Sequence, residues 1–345
     1  MNKRKLYLDV VKVWGMFAII LLHTLSNTMQ EARPFVSALQ ASVVHSIHQL
    51  LYTAVPLFLL ATGAGFLTGQ KKCSYTDMKG HIIKILVCIF LFGGLFWTIE
   101  CILTGGEWTV KDMILAILTD ATWSHTWYLY RILGIYLVMP LLSAFMCQVS
   151  RKEQVVLAGI LLFLESLYPH IAGMIGFVPA AVSPVEGISL FYVLTGGILG
   201  GIDGNRLKKA GWAFAAGALI SGGMVLGKSL QGNAYILKED YPLSLLFAVC
   251  LFAGMKILCE GKESPHWIGS VARCSLGIYI VHPIFIHLLV KIVKWNPQYT
   301  APVIMVPLMA LVVLSASYLA VLTARRLTWV RKQISDEGDS RLNRR

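Results

Sequence analysis

Ten apolar segments, most of them close to twenty residues long, follow one another at short intervals along the 345-residue chain. A helix needs about 20 apolar residues to cross a hydrocarbon layer, so a chain built largely of such runs is expected to form an all-α polytopic membrane bundle. The expected spans are residues 7–29, 45–68, 82–103, 127–147, 154–168, 185–202, 210–227, 243–259, 273–294 and 302–323. Hydrophobic side chains make up 56% of the chain and charged ones 14%, against about 25% charge in soluble domains. The mean hydropathy of +0.67 points the same way. Together they exclude a disordered chain, a secreted disulfide scaffold and a soluble enzyme of ordinary type. Lys3, Arg4 and Lys5 precede the first run as they would in a signal peptide. That run is too long, however, and lacks a small-residue cleavage site, so it counts as a span.

The net charge of +12 is explained by where its residues fall. With the N-terminus inside, 23 of the 30 lysines and arginines lie in inner segments and 7 in outer ones. That asymmetry predicts both termini in the cytoplasm of a multi-pass protein of the cell membrane, with membrane lipids as partners and no nucleic acid. The expected division is a transmembrane domain over residues 1–324 and a charged cytoplasmic tail over 325–345. Seven cysteines form no CxxC pair and read as small embedded hydrophobes, without disulfides or zinc. Gly196 and Gly200, Gly197 and Gly201, and the pair Gly63 and Gly65 read as points of close helix approach.

Ionisable side chains within spans are rare and mark cavities or partners. Lys12 and His23 are eleven residues apart, three helical turns plus about 20°, so they share a face about 16 Å apart along the axis. Asp9 lies near the same stripe. Ser275, Tyr279 and His282 recur at i, i+4 and i+7 in the ninth span, with Pro283 loosening the backbone beside the histidine. The fourth span opens on His125, Trp127, Tyr130 and Arg131, with Tyr136 deeper. The bland readings are snorkelling for Lys12 and Arg131, interface anchoring for Trp127 and Tyr128, and a helix-to-helix hydrogen bond for His23. His45 and His48 lack a nearby carboxylate or cysteine, so no metal is expected there, and Glu100 and Glu165 read as solvated. Motifs for nucleotide hydrolysis and for a serine-hydrolase elbow are lacking.

Several blocks resemble the integral-membrane acyltransferase type 3 family: YLDVVKVWGMFAIILLH, VPLFLLATGAGFL, HTWYLYRILGIYLVMPLL, FYVLTGGILGG and SLGIYIVHPIF. The resemblance covers nearly all of the first 290 residues. It implies about ten helices and transfer of an acyl group from cytoplasmic acyl-CoA to an outer acceptor. The family's basic residue, ten intervening residues and histidine fall on Lys12 and His23. Its two arginines at the start of the third helix fall on His81 and Lys84, which removes a guanidinium clamp there. A carboxylate common in the fourth helix is replaced at Ile132 and Leu133, while Tyr136 is kept. The form with HTWYLY and a histidine-proline is similar to the branch that modifies exopolysaccharides or lipid-linked sugars. That branch includes the membrane half of a serine racemase associated with serine transport.

Acyl transfer from a thioester to a hydroxyl needs a base for the acceptor proton and a donor for the oxyanion. The expected base is His23, with Tyr136 or Tyr130 and His282 orienting the acceptor or stabilising charge. Lys12, Lys84 and His81 are expected at the CoA phosphates, and His125, Trp127, Arg131, Tyr279 and Ser275 at the acceptor. Acyl-CoA, acetyl-CoA foremost, is the co-substrate, with no permanently bound cofactor. The acceptor is a glycan or lipid-linked sugar, so the expected activity is O-acetylation in polysaccharide modification. The competing reading is a transporter of a small polar molecule such as serine. A structural subunit of a polysaccharide synthase is the third.

Overall fold

The computed structural model describes residues 5–32, 37–68, 72–176, 187–230, 239–295 and 302–326. Lys3, Arg4, Arg33, Lys71 and Lys238 of the charge count, and the expected tail from residue 327 on, lie outside them. The described residues form an all-α polytopic bundle with no strand, only an isolated bridge between Lys5 and Glu263. In chain order the helices are α1 (Leu6–Ala32), α2 (Ala38–Leu51), α3 (Ala54–Phe66), α4 (Tyr75–Thr104), α5 (Val110–Leu118), α6 (Trp127–Gln148) and α7 (Arg151–Leu162). There follow α8 (Tyr168–Met174), α9 (Gly187–Gly200), α10 (Gly204–Lys209), α11 (Gly211–Leu230), α12 (Pro242–Cys259), α13 (His266–His287) and α14 (Pro302–Arg326). Each of the ten apolar segments contains helix. Eight spans among the described residues are long and apolar enough to cross a membrane, and α9 is a shorter apolar helix.

The differences from the expected spans have local causes. The second span breaks at Tyr52 and Thr53, between α2 and α3. Pro56 has no N–H for the carbonyl four residues back, that of Tyr52, and its ring crowds that position. Helix α4 starts at Tyr75, not 82, because Ser74 and Asp77 close a capping box. Ser150 and Glu153 do the same for α7. These polar starts carry no hydropathy signal. The fifth span is longer than expected and runs through a π turn at Phe163–Leu167 into α8. Helices α5 and α10 were not expected as spans at all; Thr109 and Asp203 cap them.

Helices α3 and α9 form the closest contact in the core. A Cβ on Gly63 would lie 1.8 Å from the Val193 carbonyl oxygen, and one on Gly196 would lie 2.1 Å from that of Leu60. Gly197 and Gly200 meet Leu67 and Ala64 comparably closely. The glycine reading therefore applies to these positions, while nothing lies within 4 Å of a Cβ on Gly65. The C-terminus of α9 is capped by two residues counted above as topology charges. Lys256 is buried, and its Nζ donates to the carbonyls of Leu199, Gly200 and Ile202 at 2.9, 3.0 and 2.7 Å. The Arg151 guanidinium donates to the Ile198 carbonyl at 3.4 Å. Cations at carbonyls left open by the last helical turn are favourable partners.

Candidate functional site

Pro283 lies inside α13 and lacks an N–H, so the Tyr279 carbonyl four residues earlier has no amide partner there. His282 fills the gap: its Nδ1 lies 2.6 Å from the Tyr279 oxygen and 3.3 Å from that of Ile278. The other face of this buried ring reaches α1. His282 Nε2 lies 2.7 Å from His23 Nδ1, and the two rings stack at 5.0 Å and 11°. The site is thus centred where α1 packs on α13, on a turn that the proline opens.

Other rings surround the pair. The buried His125 ring sits 5.7 Å from both His282 and Tyr279, and its Nε2 donates to the Ile280 carbonyl at 3.3 Å. The Tyr279 hydroxyl donates to the backbone carbonyl of His125. Burial pushes the His125 imidazole down to about 3, and the neighbouring His23 adds to the shift. Tyr128 stands 5.3 Å from Tyr279 and 6.2 Å from Phe58. No hydrogen bond to the Tyr128 hydroxyl is formed among the described residues. Trp123, in the loop before α6, is sandwiched by Phe96 at 4.5 Å and His287 at 5.0 Å. Its Nε1 donates to Glu100 at 3.3 Å.

A second group lies deeper. His81 of α4 packs 5.3 Å from both Phe66 and Tyr136, with Lys84 half-buried one turn on. Phe58 and Phe66 are eight residues apart on α3, as are Tyr128 and Tyr136 on α6. Both helices therefore separate the two aromatic levels by about 12 Å. Lys12 is half-buried in the first third of α1, about three turns before His23 on the same helix.

The candidates named from sequence divide among several places. His23, His282, His125 and Tyr279 are brought together, and Ser275 is half-buried two turns before His282 on α13. Tyr136 joins His81, not His23. Tyr130 donates its hydroxyl to the Ile117 carbonyl on α5, which commits that proton to the backbone. Arg131 does not snorkel outward. It pairs with Glu239 in the loop before α12 and lies 4.5 Å over the Trp127 ring. Glu165 is not simply solvated: it sits in the π turn, and its Oε1 is buried with no partner among the described residues. A Cβ on Gly187 would come within 2.6 Å of that oxygen. Glu100 is exposed at the end of α4, where it receives Trp123. Asp9 is buried and faces Gly269 of α13. His45 and His48 diverge, to Gln49 at 3.2 Å and Ser26 at 2.9 Å. Among the described residues no group of three or more metal-ligating side chains gathers.

Sequence reasoning missed Trp123, His287, Glu239 and Lys256. Trp123 and Glu239 lie in loops, where no periodicity marks them. His287 and Lys256 gain their contacts only from other helices. The local signals for the central pair were polar residues at helical spacing and, at His282, a proline directly after the histidine.

Comparison with curated proteins and with solved structures returned no match. A family model described as an acyltransferase domain matches residues 5–322, which takes in α1 and every residue of the two aromatic levels. The chain belongs to the acyltransferase 3 family and is a membrane acyltransferase.

Proposed function

We propose that the protein moves an acyl group, acetyl in the simplest case, from cytoplasmic acyl-CoA to a hydroxyl of an extracytoplasmic or lipid-linked glycan. The observation that carries this reading is the His23–His282 pair, 2.7 Å apart in the half of the bundle opposite Lys12 and Lys84. The lysine and arginine asymmetry supports the Lys12 end as the cytoplasmic one, in a cell membrane. CoA phosphates are attracted to Lys12, Lys84 and His81, and the acyl end reaches towards His23 between the Phe66–Tyr136 and Phe58–Tyr128 levels. Such a path suits a thioester on a long flexible arm.

In the reaction, His23 takes the proton of the acceptor hydroxyl while its oxygen bonds to the thioester carbonyl carbon. The carbon–sulfur bond then breaks, and the CoA thiolate leaves with the proton returned from His23. The oxyanion formed between these steps needs a donor. Of the two tyrosines in the outer cluster, Tyr279 has its hydroxyl committed to the His125 carbonyl, which leaves Tyr128 for that task. Trp127, Arg131 and Glu239 face the acceptor as a ring surface and a fixed ion pair, both suited to a sugar.

The test is mass spectrometry of cell-envelope glycans from cells with and without the gene, joined to CoA release by the purified protein. The reading expects one ester to be missing without the gene, and CoA release that depends on acceptor. Uptake of labelled serine by vesicles without any CoA release would replace it with the transporter reading.

A further inference from the structure

Two groups on α13, the Tyr279 carbonyl and the His282 ring, and His23 on α1 form a chain of hydrogen bonds whose direction can be worked out from its fixed end. A carbonyl oxygen only accepts, so the His282 Nδ1 that faces the Tyr279 oxygen at 2.6 Å carries a proton. A neutral imidazole has one such proton, so His282 Nε2 is the acceptor. No carboxylate is among the hydrogen-bond partners of this buried ring to stabilise a second proton. His23 Nδ1, 2.7 Å away, must then donate, which leaves the lone pair of His23 on Nε2. An imidazole free in water prefers the opposite form, with its proton on Nε2. The chain therefore imposes a tautomer on His23.

We infer that Pro283 and His282 are positioning residues that hold the His23 proton on Nδ1 and present a bare Nε2 as the base. The proline frees the Tyr279 carbonyl, the carbonyl orients His282, and His282 orients His23. When Nε2 takes the acceptor proton, the imidazolium keeps its Nδ1–H bond to His282, so no group in the chain has to reorient. This deepens the proposed acyl transfer and rests on His23 being its base.

The experiment combines ¹⁵N-histidine NMR of the detergent-solubilised full chain with kinetics of CoA release from acetyl-CoA. In the wild type the resonances lost in H23A should report a protonated Nδ1 and a bare Nε2; the reverse assignment overturns the proposal. H282A should lower kcat about 100-fold with the KM for acetyl-CoA unchanged. H282Q, whose side-chain oxygen can accept from His23 Nδ1, should recover kcat to within about tenfold of wild type. Equal losses in H282A and H282Q would mean that His282 acts on substrate itself, which also overturns the proposal. P283A restores an N–H that competes for the Tyr279 carbonyl. It should give mixed tautomers at His23 and a several-fold lower kcat, and an unchanged ¹⁵N pattern overturns the part given to the proline. The NMR does not need turnover. A wild type that releases no CoA yet shows the expected tautomer would remove the acyl-CoA reading and leave the relay in place.

Discussion

His23 and His282 are 259 residues apart in sequence, yet their ring nitrogens lie 2.7 Å from each other. The contact joins α1 to α13, and the proposed reaction uses His23 as its base. His23→Ala should lower acyl transfer by roughly 100- to 10,000-fold, the range of a general base, while the affinity for acyl-CoA changes little. Single-turnover CoA release together with equilibrium binding checks this; a variant with full activity would take His23 out of the chemistry.

Gly63 and Gly196 let two backbones touch, and the atoms facing them are carbonyls that cannot swing aside. Gly196→Val should destabilise the protein by about 3 kcal/mol, and Gly65→Val, at a position with open space, by much less. Thermal unfolding of the two variants in one detergent distinguishes them. Similar losses would contradict the close approach of α3 and α9.

Lys256 ties the last turn of α9 to α12 through three carbonyls. Lys256→Met keeps the apolar stem and removes the donors, so a loss on the order of 3 kcal/mol is expected. Lys256→Arg should recover part of it. A melting temperature unchanged in Lys256→Met would mean that the ammonium merely sits there as an inner charge.

His125 stays neutral in the folded protein down to about pH 3, whereas the unfolded chain protonates it near its ordinary value. The unfolded state thus binds the extra proton, and stability falls as pH drops from about 6.5 towards 3, by at most about 1.4 kcal/mol per pH unit. Melting temperatures at pH 7.5 and 5.0 should show a smaller drop in His125→Gln than in wild type. Equal drops would place the acid sensitivity elsewhere.

The bundle could be read from the sequence because lipid leaves the backbone few choices, and each apolar run proved to contain helix. The break at Tyr52 was also present in the sequence, as Pro56, though hydropathy alone passes over it. His23, His282 and Tyr279 were visible as polar residues at helical spacing in apolar surroundings. Their union was not, since nothing in either helix specifies which face of α1 meets α13. Tyr136 and His81 show the same limit: each was singled out, and the packing of α4 on α6 alone makes them neighbours. Arg131 was read as snorkelling or as facing the acceptor, and its ion pair was missed because its partner, Glu239, belongs to a loop more than a hundred residues away.

The most direct test of acyl movement from the Lys12 end to His23 is labelled acetyl transfer in sealed vesicles of known orientation. Acetyl-CoA is supplied on one side only, and labelled glycan is measured for wild type and His23→Ala. The account predicts labelling when acetyl-CoA faces the cytoplasmic side, none when it faces the other, and at least a 100-fold loss in the variant. Labelling from the outer side, or undiminished labelling by His23→Ala, would contradict it.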